Sequence, residues 1–252
     1  MSRPSPRLLV ETPLARGQSL LLSGKKAHYL NHVLRLSLGA NVLIFNGRDG
    51  EWLAQVKKKD KKNCTLDLLQ QTQKQTIAVN LVLAFAPLKK SALDFLIQKA
   101  TELGIGTLQP LFTERTGADH VNISRLIAQA GEASEQCGRL EAPTILHPVS
   151  LEKFLESWPH DKPLWTGNES GAGRYIVTAF NDWAVKSVMA GGHGILIGPE
   201  GGFSPNELAT LGSMPFVTFI DLGPRILRAE TAAITALTCW QALLGDWRRD
   251  DK

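Results

Sequence analysis

Short apolar runs alternate with amphipathic helix patterns from residue 77 onward, and this rhythm constrains the fold more than any other feature. Strands are predicted over residues 77–86, 107–112, 144–149, 163–166, 195–197 and 216–222. Helices are predicted over residues 91–103, 123–137, 151–157, 175–185 and 229–244, with one more starting at the capping box Ser204-Pro-Asn-Glu207. Such alternation indicates an α/β fold with a mostly parallel sheet that is covered on both faces.

The preceding residues predict a smaller, β-rich domain. Its strands are expected over residues 7–10, 19–22, 42–45, 52–56 and 64–69, with one helix over residues 25–36. Two turn dipeptides within residues 46–50 favour a hairpin. The polar residues 70–76 then interrupt the pattern. The sequence therefore predicts an N-terminal domain over residues 1–70, a linker over residues 71–76 and a C-terminal domain over residues 77–252.

Composition and charge limit the possible functions. Hydrophobic residues make up 43% of the chain and charged residues 21%, as in an ordinary soluble protein. No apolar run approaches the roughly 20 residues of a membrane span, and the first residues lack the apolar core of a signal peptide. We therefore expect a cytoplasmic protein with no membrane partner. The three cysteines are far apart and odd in number, which argues against a disulfide framework and a metal cluster.

Two glycine-containing segments, residues 196–204 and 222–231, each follow a predicted strand and lead into a predicted helix. Because glycine lacks a Cβ, backbone groups there can approach a ligand closely or bend sharply. Either segment alone is also compatible with a simple turn. Together they place charged residues at the carboxyl ends of strands, where open α/β sheets bind ligands. The charged residues are Glu200, Arg225, Arg228 and Glu230.

The familiar nucleotide-binding and hydrolase signatures are absent from the sequence. No segment matches G-x-x-x-x-G-K-[ST] or G-x-S-x-G, and no G-x-G-x-x-G follows a predicted strand. His28 and His32 have i, i+4 spacing, but the glutamate of H-E-x-x-H and a third ligand are missing, so we expect no metal. ATP-loop and ordinary dinucleotide binding are therefore disfavoured.

The predicted final helix, residues 229–244, is apolar or small on nearly all sides. A helix without a wide polar face is buried on more than one side. Its many alanines allow close backbone approach either to the sheet or to a second copy of the chain. The pattern therefore leaves open a homodimer contact or intrachain burial alone.

The ordered pair of glycine segments closely resembles a known family. Ile197-Gly-Pro-Glu-Gly-Gly-Phe-Ser204 and Leu222-Gly-Pro-Arg-Ile-Leu-Arg-Ala-Glu-Thr-Ala232 are similar to the ribosomal RNA small subunit methyltransferase E family. These SPOUT-superfamily enzymes methylate N3 of a uridine in 16S rRNA. Further blocks similar to the family are residues 28–35, 99–104, 113–116 and 132–139, so the resemblance covers nearly the whole chain.

The resemblance implies a C-terminal SPOUT-type α/β methyltransferase domain with a deep trefoil knot, and an N-terminal PUA-like β-barrel that binds RNA. It implies 16S rRNA in the small ribosomal subunit as a partner, and the apolar final helix makes a second copy of the chain the other expected partner. The resemblance also implies S-adenosylmethionine as the cofactor, held bent between the knot loops, with the loop over residues 166–170 closing the third side. The cofactor-binding residues implied are Thr166, Ile197, Gly198, Pro199, Glu200, Gly201, Leu222, Gly223, Ile226, Leu227 and Arg228.

Methylation of uridine N3 places demands on the charged residues. A sulfonium methyl is already a strong electrophile, so the protein mainly aligns the reacting atoms. N3 is a poor nucleophile while it holds its proton, so it needs a base or a cation that stabilises the ring anion. We predict Arg228 and Glu230 at the reacting end, with Arg225 as a second candidate cation and Glu200 as a loop organiser. Glu230 could instead only favour the helix dipole.

RNA contacts are predicted at residues that could bind phosphates or bases. The candidates are Arg7, Arg16, His28, His32, Arg35, Arg115 and Arg139. Plain helix packing is the alternative for the helix that carries the two histidines, and a structural salt bridge is the alternative for Arg139.

Two other functions remain open on the sequence. A SPOUT methyltransferase could act on another RNA position, such as a ribose 2′-hydroxyl of tRNA, but the N-terminal domain and residues 132–139 argue against it. A catalytically silent RNA-binding or assembly factor could use the same fold. The complete charged set within residues 222–231 argues against that function.

Overall fold

The computed structural model describes residues 5–76, 79–168, 171–186 and 192–248, which form two compact units. The first contains the described residues up to 76 together with Ser134–Ala142, and the second contains Val79–Ala133 and the described residues from Pro143 onward. Ser134–Ala142 thus belongs to the first unit, whereas the sequence prediction assigns it to the C-terminal domain. Backbone hydrogen bonds such as that from Gly47 N–H to the Leu140 carbonyl (2.9 Å) hold it there.

Five strands form the sheet of the first unit: β1 (Arg7–Leu9), β2 (Ser19–Ser23), β3 (Asn41–Phe45), β4 (Glu51–Lys59) and β5 (Asn63–Gln73). Their order is β1-β3-β4-β5-β2, with β1 parallel to β3 and the other neighbours antiparallel. Alternate apolar residues such as Val42 and Ile44 enter one core. The exposed end of β5 pairs with β4, so residues 71–73 of the predicted linker are strand residues.

The helix predicted over residues 25–36 is shorter and irregular. α1 spans Gly24–His28, and one wide π-helical turn follows over Tyr29–Val33. Arg35 then adopts a left-handed backbone with φ of 53°. The Asn31 amide donates two hydrogen bonds of 3.0 Å, one to the carbonyl of Asp60 in the loop between β4 and β5 and one to the carbonyl of Asn63 at the start of β5. Such tertiary contacts override the local helix preference.

Eight strands form the sheet of the second unit: β6 (Leu81–Phe85), β7 (Thr107–Phe112), β8 (Thr144–Ile145), β9 (Val149–Ser150), β10 (Leu164–Gly167), β11 (Arg174–Tyr175), β12 (His193–Ile197) and β13 (Val217–Asp221). The order is β11-β13-β10-β12-β6-β7-β8, with β9 beside β7, and every pair is parallel. The predicted parallel sheet is confirmed. Residues 77 and 78 of the first predicted strand lie outside the described residues.

Helices cover both faces of this sheet, as predicted. They are α2 (Lys90–Glu102), α3 (Ile123–Cys137), α4 (Leu151–Ser157), α5 (Ile176–Lys186), α6 (Pro205–Ser213) and α7 (Ala229–Leu243). Successive residues of a strand point to opposite faces. Leu83 accordingly packs in an apolar cluster with α2, α5 and α7, while its neighbour Ala84 packs in a second cluster with α4 and α6.

His193, the first residue of β12, is linked to three tryptophans. The indole N–H groups of Trp183 and Trp240 lie 3.0 and 3.1 Å from its two ring nitrogens, and the ring centroid of Trp165 lies 5.3 Å away. Burial, and secondarily the charge of Lys162, lowers the pKa of His193 to about 4. Indole only donates, and a protonated imidazole accepts no hydrogen bond. A neutral imidazole accepts at only one of its nitrogens, so His193 accepts one of the two indole N–H groups and packs against the other indole, which places it between α5 and α7 at the start of β12.

Among the described residues, no helix is both long and apolar enough to cross a membrane. The same part of the chain contains no group of three or more His, Cys, Asp or Glu side chains that could hold a metal ion. All three cysteines are free thiols, and burial raises the pKa of Cys64 in the first unit. This thiol is therefore protonated at neutral pH and packs as an apolar residue.

Candidate functional site

A cleft of about 870 Å³ lies at the carboxyl edge of the second unit's sheet. Its walls are the residues that follow β6, β10, β12 and β13, four strands that are adjacent in the sheet, together with the start of α7. Parallel strands bring their carboxyl ends to one edge, which is where open α/β sheets bind ligands. The location agrees with the crevice expected from the two glycine segments.

The first glycine loop, which we define as residues 198–203, follows β12 and forms one wall. The carbonyl of Pro199 accepts the N–H of Gly202 at 2.9 Å, and Gly202 has a φ of 67°, a conformation that favours glycine. A Cβ on Gly198 would lie 2.9 Å from the ring of Phe203. Glycine at position 198 therefore allows Phe203 to pack beneath the loop.

The second glycine loop, residues 222–228, follows β13 and forms another wall. Oδ1 of Asp221 accepts the N–H of Gly223 at 2.8 Å, and Gly223 has a φ of 107°. This turn leads to Arg228, the N-cap residue of α7, whose carbonyl accepts the N–H of Ala232 at 2.8 Å. The loop that carries the two arginines is therefore held at one end by the turn at Gly223 and at the other by the start of α7.

The cleft brings together most of the residues predicted for the cofactor and for catalysis. Those that line it are Ile197, Gly198, Pro199, Glu200, Leu222, Gly223, Arg225, Ile226, Leu227, Arg228 and Glu230.

Thr166 and Gly201 do not line the cleft. Thr166 is fully buried next to the cleft-lining Gly167, and within the described ranges its hydroxyl has no hydrogen-bond partner. In the predicted third wall, Gly167 and Asn168 line the cleft. Residues 169 and 170 of that loop lie outside the described residues.

Six charged side chains line the cleft, and all but Asp221, which accepts the N–H of Gly223, lack a partner among the described residues. Lys89, Arg225 and Arg228 supply positive charge, and Glu200 and Glu230 supply negative charge. Counting only partners in the described part of the chain, none of these five side chains forms a hydrogen bond or an ion pair. Free charges on a concave surface are available to a bound ligand.

Sequence reasoning missed Lys89, Ser91 and Ala92, which line the cleft at the start of α2. They follow β6 just as the glycine loops follow their own strands. Their position after a strand could be read from the sequence, but it indicates a place in the cleft only when β6 is known to pair with β12. Local patterns do not reveal which distant strands are neighbours.

Arg7 does not have the exposed position that phosphate binding requires. Its side chain is 13% exposed, and Nε lies 2.7 Å from Oε2 of Glu51. Its remaining groups donate to the backbone carbonyls of Ser134, Glu135 and Arg139 at 3.0, 3.2 and 2.8 Å. The predicted RNA contact of Arg7 is therefore corrected to a structural role within the first unit.

Arg139 is also largely buried, with a side chain that is 14% exposed and lies 3.9 Å from the carboxylate of Glu141. Burial raises the pKa of Glu141, and the charge of Arg139 opposes that increase. The geometry supports the alternative of a structural salt bridge rather than a phosphate contact.

The other candidate RNA-binding residues of the first unit are exposed: Arg16, His28, His32 and Arg35. The rings of His28 and His32 lie 4.9 Å apart, and His32 Nε2 lies 3.3 Å from the carbonyl of Lys61. In the second unit, Arg115 is exposed and its Nη1 donates to the Gly201 carbonyl at 2.9 Å. These five side chains remain available for RNA.

Two family models match the chain. One, described as an RNA methyltransferase domain, matches residues 75–241, and the other, described as an RNA methyltransferase PUA domain, matches residues 22–69. The ribosomal RNA small subunit methyltransferase E of Rickettsia conorii is 35% identical over 232 residues, which are 92% of this chain and 93% of that protein. The protein of the same name from Bacillus subtilis is 27% identical and covers 91% of this chain and 92% of its own length.

Solved structures agree with the sequence comparisons. The ribosomal RNA small subunit methyltransferase E of Neisseria gonorrhoeae, crystallised with S-adenosylmethionine, has a TM-score of 0.83 and 25% identity over 95% of this chain and 98% of its own. A Legionella pneumophila protein, described as a methyltransferase in complex with the same cofactor, has a TM-score of 0.83 and 28% identity over the same shares. With the matched domains and the cleft, these relatives show that the chain belongs to the ribosomal RNA small subunit methyltransferase E family.

Proposed function

We propose that this protein transfers a methyl group from S-adenosylmethionine to N3 of one uridine in 16S rRNA. The observation that carries the proposal is the cleft at the carboxyl ends of four adjacent parallel strands, lined by both glycine loops and by charged side chains of both signs. The family's printed name supports ribosomal RNA as the substrate, and two relatives crystallised with S-adenosylmethionine support the cofactor.

The residues of the cleft fit this cofactor. A volume of about 870 Å³ is within the range of small-molecule sites. The apolar side chains of Ile197, Leu222 and Leu227 suit a flat adenine ring, and the charged residues suit the amino and carboxylate groups of a methionine. The buried hydroxyl of Thr166, which has no hydrogen-bond partner among the described residues, supplies one more polar group beside the cleft. S-adenosylmethionine supplies the electrophilic methyl on its sulfonium.

The protein's own task is then to hold the uridine and to manage one proton. Arg228, at the start of α7, places a positive charge where the ring anion develops over the carbonyl oxygens beside N3. Glu230, in the first turn of α7, accepts the N3 proton or fixes the arginine. Arg225 adds a second positive charge from the same loop, and Glu200 organises the first glycine loop.

The RNA is held outside the cleft by exposed basic and histidine side chains. The proposed contacts are Arg16, His28, His32, Arg35 and Arg115, all of which are exposed. The match of residues 22–69 to an RNA methyltransferase PUA domain supports RNA binding by the first unit. Arginine and histidine can bind phosphates, which position the RNA, and can stack on its bases, which contributes to sequence selection.

The family resemblance leads us to propose a trefoil knot, and the strand order supports it. β13 enters the sheet between β10 and β11, two strands that precede it in the chain, after β12 has formed on the opposite side of β10. Such an insertion lets the later segment thread through an earlier loop. The loops that would build the knot are those that line the cleft.

A homodimer is proposed on the composition and burial of α7. Ala233, Ala236 and Leu237 are buried in the unit, whereas Ile234 and Cys239 are half-buried and no residue of the helix is basic. An apolar helix that its own domain covers only on one side is suited to a second copy of the chain. We place the working enzyme in the cytoplasm, together with its ribosomal substrate.

Calorimetric titration with S-adenosylhomocysteine tests the enzymatic proposal against a silent RNA-binding factor. We expect one site per chain, because every described residue that lines the cleft belongs to the second unit. Competition by S-adenosylmethionine at the same site should follow. A protein that binds ribosomal RNA but gives no detectable heat with S-adenosylhomocysteine would favour the silent factor.

A further inference from the structure

Glu207 is a buried carboxylate that joins two loops of the second unit. Its Oε2 accepts the N–H of Ser204, and its Oε1 accepts the N–H of Glu114, both at 2.8 Å. Ser204 directly follows the first glycine loop, whereas Glu114 lies in the loop after β7. Only the first of these bonds belongs to the capping box that begins α6. The bond to Glu114 is additional, and the capping motif does not account for it.

Arg115 forms a second connection between the same loops. Its Nη1 donates to the carbonyl of Gly201, within the first glycine loop, at 2.9 Å. The loop that supplies this arginine is itself held by Thr113 and Thr116, because the Thr116 hydroxyl accepts the Thr113 N–H at 2.9 Å and lies 2.8 Å from the Thr113 hydroxyl. The first glycine loop is thus connected to the loop after β7 at two points. Arg115 contacts it at Gly201, and Glu207 links Glu114 to Ser204, directly after its end.

The first glycine loop needs such support because it carries cofactor-facing residues without regular secondary structure. Gly198, Pro199 and Glu200 line the cleft. A loop that must become ordered when its ligand binds loses affinity through that ordering, and a loop held in the bound conformation does not. Charge-assisted hydrogen bonds such as those of Glu207 are among the stronger ones available.

We propose that Glu207 is a positioning residue for cofactor binding, acting through the first glycine loop that it shares with Arg115. Glu207 does not line the cleft, so its effect on the cofactor is transmitted by the loop. The proposal rests on the function proposed above, since it requires that S-adenosylmethionine binds in the cleft. It assigns a binding role to a residue of α6, outside both glycine loops.

The test replaces Glu207 by glutamine. The amide keeps one acceptor and turns an N–H donor toward the other backbone N–H, so one of the two bonds is lost. We expect Glu207→Gln to raise the dissociation constant of S-adenosylhomocysteine about tenfold, the usual effect of one such hydrogen bond. In methyl-transfer assays, KM for S-adenosylmethionine should rise by a similar factor. kcat at saturating cofactor should remain within about twofold of the wild-type value, because the change weakens binding equally in the ground state and in the transition state.

Ser204→Ala is the matched control. The Ser204 hydroxyl caps α6 by accepting the N–H of Glu207, but both carboxylate bonds of Glu207 end on backbone groups and survive the change. We expect a lower thermal midpoint with a dissociation constant close to that of the wild type. An equal loss of affinity in Ser204→Ala and Glu207→Gln would mean that the affinity depends on the capped start of α6 and not on the carboxylate bonds of Glu207. The proposal would then be wrong.

Arg115→Ala provides an independent variant in case Glu207→Gln does not fold. Arg115 is exposed, so its loss should leave the fold intact while raising the dissociation constant severalfold through the lost bond to Gly201. Unchanged affinity in Glu207→Gln, or in Arg115→Ala where only that variant folds, would overturn the proposal. If the wild-type protein itself bound no S-adenosylhomocysteine, the proposed cofactor would be wrong instead.

Discussion

Replacing Arg228 by alanine is expected to reduce kcat on the order of 10²–10³-fold, the effect of removing one donor that stabilises charge in a transition state. Arg228 lines the cleft, and its side chain forms no ion pair with any of the described residues, so its charge is available to the substrate. The measurement is single-turnover methyl transfer at saturating cofactor, with sedimentation velocity to verify that the variant remains folded and keeps the oligomeric state of the wild type. Near-normal turnover would remove Arg228 from the mechanism.

Two companion variants separate the role of Arg228 from a loss of positive charge alone. Arg228→Lys keeps the charge but loses the planar donor fork, so we expect partial activity between alanine and wild type. Arg174→Ala removes an exposed arginine from the same unit, paired with Asp182 on the surface. Its activity should match that of the wild type, because an exposed ion pair contributes little to the stability of the folded protein.

Replacing Arg7 by alanine is expected to lower the free energy of unfolding by about 3–5 kcal/mol, as when one partner of a buried ion pair is removed. Glu51 is 2% exposed, and among the described residues its carboxylate would keep only the bonds from Thr72 and Gln73. The carbonyls of residues 134, 135 and 139 would also lose the hydrogen bonds that Arg7 donates. Urea unfolding, with hydrogen exchange of β1, β3 and β4 as a local readout, measures the loss.

Arg16→Ala is the matched control for Arg7→Ala, since both remove one arginine from the first unit. Arg16 is exposed, so we expect a change in stability within about 0.5 kcal/mol. Its RNA affinity should fall, because its guanidinium is available for phosphate. The structural assignment of Arg7 would be contradicted by a stable Arg7→Ala protein whose only defect is weaker RNA binding.

The second unit was predictable because its patterns are local. Each buried strand is a short apolar run, and the Ser204–Glu207 capping box fixes the start of α6 in four residues. The glycine loops were found because they directly follow such strands. Parallel pairing then brings them to one edge, so a site assembled from distant segments could still be inferred.

What the sequence did not reveal depends on contacts between distant residues. Lys89 reaches the cleft because β6 pairs with β12, although the paired residues Leu81 and His193 are far apart in the chain. Arg7 is buried because segment 134–142 packs in its own unit. No local pattern distinguishes an arginine paired with buried acceptors from one that faces RNA.

The connection of the first glycine loop to the loop after β7 is a further case. The capping box predicts one bond of Glu207, and the structure adds a second bond to Glu114, 93 residues away. The sequence therefore revealed the residues that face the cleft better than those that hold its walls in position. Residues of the second kind depend on tertiary structure.

Methyl transfer to small ribosomal subunits isolated from cells that lack this protein tests the proposed function most directly. The subunits are incubated with the protein and S-adenosylmethionine, and nucleosides from the digested 16S rRNA are analysed by mass spectrometry, with naked rRNA and tRNA assayed in parallel. We predict that 3-methyluridine appears in 16S rRNA only when the protein is added, and that tRNA gains no methyl group. A 2′-O-methylated nucleoside newly formed in tRNA, or 3-methyluridine already present in 16S rRNA before the protein is added, would contradict the proposed function.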